Sequence, residues 1–303
     1  ILWNGLFNYG KYGENSRMRN IYNASELQAM DPNELVTILK ELKAYKQRLF
    51  YYGNDVSATT MALNKNYQIP AELKDYPEPI KYEELATGNA VNYVDYDMVQ
   101  AEMIFVSKGK TFDREKLAQS QVFNTYFGSG LSSIVFQEIR ESKSLAYSAF
   151  ASYSNASKIG DSNYTYAYVG TQANKLTQAV DAMLDLMNNM PEANEQFESA
   201  KEATLKKIAS QRITKSNIFW QYEALKKRGI DYDNREEIYN EVSDMTMEDL
   251  KSFFNDNIKG GNYTALIIGN KKDLELKALE KLGKVEELDI DYLFNYKETP
   301  VKQ

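Results

Sequence analysis

Residues 126–147 read Tyr126-Phe127-Gly128-Ser129-Gly130-Leu131-Ser132-Ser133-Ile134-Val135-Phe136-Gln137-Glu138-Ile139-Arg140-Glu141-Ser142-Lys143-Ser144-Leu145-Ala146-Tyr147. Gly128 and Gly130 permit a tight turn, and Ser132 or Ser133 can cap a helix after it. Leu131, Val135 and Ile139, helped by Ile134, form an apolar stripe that predicts a helix over 132–142 with this stripe buried. A neighbouring stripe carries Phe136, Arg140 and Lys143 at i, i+4 and i+7. Tyr147 lies four positions further on, past the expected helix end, and opens the next strand. A guanidinium and a phenol brought together beside an aromatic ring can grip a peptide carbonyl or carboxylate. Spacing alone favours a surface Arg in an ion pair and a Tyr filling a sheet edge. Phe136 fits a pocket wall or the core.

Outward from this stretch the pattern is mixed. Residues 91–106 are β-rich with partial alternation and predict one long strand or a hairpin. Residues 113–127 predict a helix, 145–153 a strand, and 164–171 a strand alternating Tyr164, Tyr166 and Tyr168. Leu176, Ala179, Val180, Met183, Leu184 and Met187 keep helical spacing, and Pro191 stops that helix and opens the next. Further helices are predicted over 215–228 and 246–257, then a closing strand at 263–268. Strands with helices grouped late in the chain indicate an α+β fold, an antiparallel or mixed sheet with helices layered on one face.

Two segments resemble each other. Asp31-Pro32-Asn33-Glu34-Leu35 leads into an apolar helix and then Leu49-Phe50-Tyr51-Tyr52-Gly53-Asn54; Thr246-Met247-Glu248-Asp249-Leu250 leads to Leu266-Ile267-Ile268-Gly269-Asn270. In each, a capping residue is followed three positions later by an acid. Chance similarity and a duplication whose first copy is truncated both account for this. The duplication assigns residues 1–55 to the end of a preceding similar domain, 56–88 to a linker containing Pro70, Pro77 and Pro79, and 89–303 to one complete domain.

Composition removes several function classes. The chain has no histidine and no cysteine, so thiolate metal sites and imidazole-based catalysis are absent from it. A net charge of −7 with dispersed basic residues argues against nucleic-acid binding. The best basic group, Lys226-Lys227-Arg228, falls late in a predicted helix, where it suits the dipole. No apolar run approaches the roughly 18–20 residues of a membrane span. Glu83, Glu84, Asp95 and Asp97 lack cation-loop spacing and read as a solvated face. Gly128-Ser129-Gly130 lacks the Lys-Ser/Thr of a phosphate loop. The start, Ile1-Leu2-Trp3-Asn4, has neither an initiating Met nor a basic leader, which suggests a piece of a longer protein.

The run from Phe127 to Ser133, then Phe136-Gln137-Glu138-Ile139-Arg140-Glu141 and Leu145-Ala146-Tyr147, resembles the last-domain signature of the pitrilysin/insulinase family of zinc metallopeptidases. A weaker match continues through Gly170-Thr171-Gln172, Ala200-Lys201, Met245-Thr246 and Ile268-Gly269. The resemblance implies a pitrilysin-like metallopeptidase domain in a protein of two halves, each of two similar α+β domains, closing around peptide substrates. The zinc motif H-x-x-E-H of that family belongs to its first domain. The expectation is therefore a substrate-enclosing part that binds no zinc and is inactive alone. The catalytic half of the same protein, or a partner subunit, would supply the metal. By motif, Tyr147 would hydrogen-bond the oxyanion and Arg140 would hold substrate backbone, with Phe136 beside them. Ser144 stands where the family often has Gly, so a positive φ there would carry a cost. A non-enzymatic scaffold or binding subunit related to processing peptidases is the alternative. A periplasmic or cell-envelope location is a further expectation from the resemblance.

Overall fold

The computed structural model of the protein describes residues 1–67 and 70–296. Six strands make one mixed sheet: β1 (Ala90–Asp95), β2 (Gln100–Thr111), β3 (Ser148–Ser154), β4 (Ser162–Gln172), β5 (Thr264–Gly269) and β6 (Lys284–Glu287). Their spatial order is β3-β4-β2-β5-β1-β6. Pairing is antiparallel from β3 through β4 and β2 to β5, whereas β1 runs parallel to both β5 and β6. Every residue of β5 is buried, and a strand with no polar face belongs inside the sheet with both faces covered. The charged Lys284-Val285-Glu286-Glu287 takes an edge, where charge discourages further pairing.

The long strand or hairpin expected over 91–106 is corrected. It is two strands, and β5 lies between them. Residues 96–99 carry the chain past the end of β5, where Tyr96 N donates to Gly269 O at 3.0 Å and Lys271 N donates to Asp95 Oδ1 at 2.9 Å. Local alternation cannot reveal a strand inserted from 160 residues downstream.

Ahead of the sheet come α1 (Phe7–Tyr12), α2 (Ala24–Ala29), α3 (Pro32–Glu41) and α4 (Val56–Asn66). Leu2 and Leu6, in the π-helical turn before α1, pack with Val94, Ile104, Val106, Leu266 and Ile268 on one face of the sheet. Residues 2–12 thus lie against the sheet of residues 90–287. Asp31 caps α3 as its sequence suggests, accepting from Asn33 N at 2.9 Å. Residues 49–54 form no strand, since no neighbouring strand pairs with them, and α4 occupies the start of the segment read as linker. None of α2, α3 and α4 has a buried residue.

The opposite face carries the main helix layer: α5 (Leu117–Phe123), α6 (Leu176–Asn188), α7 (Asn194–Ser210), α8 (Ile218–Lys227), α9 (Arg235–Asp244) and α10 (Met247–Asn257). Leu176, Ala179, Val180, Met183 and Met187 of α6 pack in one core with Val91, Met103, Phe105, Val169 and Ile267. Burial of each large side chain there stabilises the fold by roughly 1.5–3 kcal/mol. Thr246 and Asp249 form the expected capping box at α10. The hydrogen bond from Thr246 holds the Asp249 carboxyl below its ordinary value. On the α1 side, Trp3, Phe150, Tyr166 and Tyr168 gather: Trp3 stacks on Phe150 at 6.0 Å, and Phe150 on Tyr168 at 5.1 Å.

Candidate functional site

The stretch 126–147 leaves the helix layer, turns, and enters the edge strand β3. After α5 the backbone widens into a π-helical turn, Asn124–Gly128, which ends hard against β3. A Cβ on Gly128 would lie 1.8 Å from the Ala151 carbonyl oxygen, so only glycine allows this approach. Phe123 and Phe127, stacked at 5.0 Å and fully buried, anchor the turn from the core side.

The next helix begins later than expected. Gly130 has φ +100°, Ser133 N donates to Gly130 O at 3.2 Å, and Ser133 Oγ accepts from Phe136 N at 3.4 Å. Ile134, Val135 and Ile139 are buried as predicted, but Leu131 is 72% exposed because it sits in the turn before the helix. Residues Phe136–Ser142 are π-helical, a wide coil that is uncommon and often accompanies functional positions. Arg140 lies over the Phe136 ring at 4.8 Å and only loosely approaches Glu141, with 3.8 Å between Nε and Oε1.

Residues 143–147 form a strap fixed at several points. Lys143 N donates to Glu138 O at 3.2 Å, Leu145 N to Ile139 O at 2.9 Å, and Tyr147 N to Gly170 O at 2.9 Å. Thr171 Oγ1 donates to Leu145 O, and Lys175 Nζ to Ser144 O at 3.2 Å. Ser144 has φ +50°, the positive φ at which a side chain carries a cost. Replacing it is informative: Ser144→Gly is expected to stabilise the protein by about 0.5–1 kcal/mol, left-handed strain outweighing the added chain entropy. Thermal denaturation should show Tm rising by roughly 1–3 °C. A lower Tm would mean that Ser144 contributes a contact worth more than the strain.

Arg140 and Tyr147 line one open cavity of about 280 Å³, together with Glu141, Ser144, Gln172 and Lys175. Phe136 does not line it; its ring supports the Arg140 guanidinium from below. Tyr147 is 53% exposed, and its hydroxyl accepts from Gln172 Nε2 at 2.9 Å. Since that lone pair is taken, the phenolic O–H remains free to donate outward. Arg140 and Lys175 oppose Glu141 alone, so the cleft favours carbonyl, carboxylate or oxyanion groups. Sequence reasoning assigned no role to Gln172 or Lys175. Gln172 lay within the weaker Gly170-Thr171-Gln172 match, whereas nothing local marks Lys175. Among the described residues, no three His, Cys, Asp or Glu side chains are placed to hold a metal. The side chains present therefore do not fit zinc. No described helix is long and apolar enough to cross a membrane.

Comparison with known proteins agrees with this architecture. Residues 47–204 match the family described as the peptidase M16 inactive domain. A stretch of 106 residues is 32% identical to an uncharacterized zinc protease of Bacillus subtilis (strain 168), covering 34% of this chain and 25% of that protein. The matched stretch thus spans a quarter of that relative's length. Among solved structures, a peptidase M16 inactive domain from Pseudomonas fluorescens aligns with TM-score 0.57 and 16% identity, over 89% of this chain and 68% of the other. Pitrilysin aligns with TM-score 0.59 and 14% identity, over 94% of this chain and 31% of its own. The fold is shared with both. The chain belongs to the peptidase M16 family, of the pitrilysin/insulinase type, as its inactive domain.

Proposed function

We propose that this chain encloses peptide substrate for a zinc metallopeptidase whose metal is held by a separate catalytic half, and that Arg140 and Tyr147 act on that substrate. The observation that carries the proposal is their shared cleft, with the Tyr147 hydroxyl braced by Gln172 and free to donate. The zinc-bearing segment would supply the activated water. Residues of this chain would meet the far side of the scissile carbonyl: Tyr147 donating to the oxygen as it gains charge, Arg140 holding backbone beyond it. A donor aimed at developing charge contributes about 2.7–4 kcal/mol to barrier lowering.

A second feature supports a missing companion. Leu35, Val36, Ile38, Leu39, Leu42, Leu49 and Phe50 are all exposed on and after α3. So many exposed apolar side chains along one helix and the segment after it support an interaction face, although Phe50 also packs on Phe219 at 5.0 Å. We assign it to the remainder of a preceding domain, the one to whose end the sequence reading gives residues 1–55.

The chain alone is expected to cleave no peptide and to hold no stoichiometric zinc; with an H-x-x-E-H-bearing half, cleavage should appear. Metal analysis and a fluorogenic-peptide assay on both preparations check this. Zinc and activity in the isolated chain would refute the proposal. Zinc-loaded catalytic half plus this chain without any cleavage would favour the scaffold alternative.

A further inference from the structure

A second cavity, of about 650 Å³, opens where the N-terminal end of α5, the 230–234 segment, α9 and the start of α10 meet. It shares no lining residue with the Arg140–Tyr147 cleft. Its volume lies in the range of small-ligand sites. Ile230, Ile238 and Met245, all buried, contribute an apolar floor. Five carboxylates line it against two basic side chains, Arg114 and Lys116. Neither base forms an ion pair with any of the acids, and Glu115, Glu241 and Asp244 have no ion-pair partner among the described residues. Glu237 is held in place by the Tyr232 hydroxyl, which donates to Oε2.

Two amides point the same way, one on a buried residue and one on a half-buried residue. Asn234 is 6% exposed, lines the cavity, and its side chain makes no hydrogen bond among the described residues, although it stands at the α9 N-terminus where capping was available. Gln119 also lines the cavity, and its buried Oε1 has no donor. Among the described residues the Asn234 amide is therefore open to the cavity without a protein partner, whereas Gln119 Oε1, sealed from water with no donor, carries a cost of about 1–3 kcal/mol. The acids are too dispersed for a point cation, since no three of them converge as metal ligands. An extended cation with several N–H donors and an apolar stem matches the spread.

We infer that this cleft binds a guanidinium- or ammonium-bearing ligand, its methylenes on Ile230, Ile238 and Met245 and its head among Glu115, Glu237, Glu241 and Asn234. Burial, together with the Glu237 and Glu115 charges, raises the Glu241 carboxyl above its ordinary value, so a cation placed there would be drawn to three mutually repelling acids. The same chemistry comes from a free polyamine or from an Arg or Lys side chain of a peptide. Either source leaves the Arg140–Tyr147 proposal untouched.

The test is calorimetric titration of the full chain, at fixed ionic strength, with spermidine, with acetyl-arginine amide, and with acetyl-citrulline amide as the uncharged control. One of the two cations is expected to saturate with one site, and the citrulline compound is not. Tighter spermidine binding assigns a free polyamine; tighter arginine-amide binding assigns a peptide side chain. Glu241→Gln, on an exposed helix position, and Asn234→Ala should each weaken binding roughly tenfold. Absence of saturation by both cations, or binding unchanged in Glu241→Gln, overturns the inference. If Asn234→Ala fails to fold, Glu241→Gln alone decides it.

Discussion

Gly128→Ala is expected to destabilise the protein by about 3 kcal/mol or more, near the upper end for a single added methyl. The new Cβ would sit 1.8 Å from Ala151 O and 2.7 Å from its carbonyl carbon, both main-chain atoms of β3. No rotamer change relieves a clash with backbone. Either β3 must separate from β4, losing ladder hydrogen bonds from Ser148 to Ser154, or the 124–128 turn must lift the buried Phe123–Phe127 stack. Denaturant titration should show a lower midpoint at unchanged m. Gly130→Ala is the control, because its Cβ would meet nothing within 4 Å and pays only for φ +100°. A Gly128→Ala protein as stable as Gly130→Ala would show that the close approach is absent in solution.

Tyr147→Phe is expected to lower kcat by about 10²–10³ in an assembly containing the zinc half, with KM little changed. The hydroxyl would bond weakly to a ground-state carbonyl and strongly to the charge that develops on it, so its loss falls on the transition state. Packing would survive, since Phe keeps the ring and Tyr147 N still donates to Gly170 O. Steady-state kinetics on both proteins checks the split. Equal kcat would reduce Tyr147 to a member of the sheet edge, with the cleft serving binding only.

What the sequence disclosed followed the range of the interaction involved. Local signals were legible. Pro191 separated α6 from α7, the Thr246–Asp249 box opened α10, and the β4 alternation put Tyr164, Tyr166 and Tyr168 on one face. The motif from Phe127 to Tyr147 also placed Arg140 and Tyr147 on one cleft, and it flagged Ser144. Illegible features depended on distant partners or on subtle backbone geometry. The insertion of β5 between β1 and β2 is decided by burial of the whole sheet. The π-helical widening at 136–142 leaves the apolar spacing of Ile134, Val135 and Ile139 intact, so periodicity cannot report it. Helix α9 was missed because only Ile238 and Val242, four positions apart, turn inward from a charged segment. Gln172 and Lys175 join the cleft from the far end of β4, more than 24 residues beyond Tyr147.

The aromatic gathering on the α1 side of the sheet has a spectroscopic consequence. The chain contains two tryptophans, and one of them, Trp3, stands 40% exposed over Phe150 near the free edge of the sheet. Its indole emission depends on local polarity, so a polypeptide laid along β3 would shift the spectrum by displacing solvent from that ring. With Trp220 replaced by Phe, intrinsic fluorescence becomes a label-free, site-resolved meter of occupancy that needs no turnover.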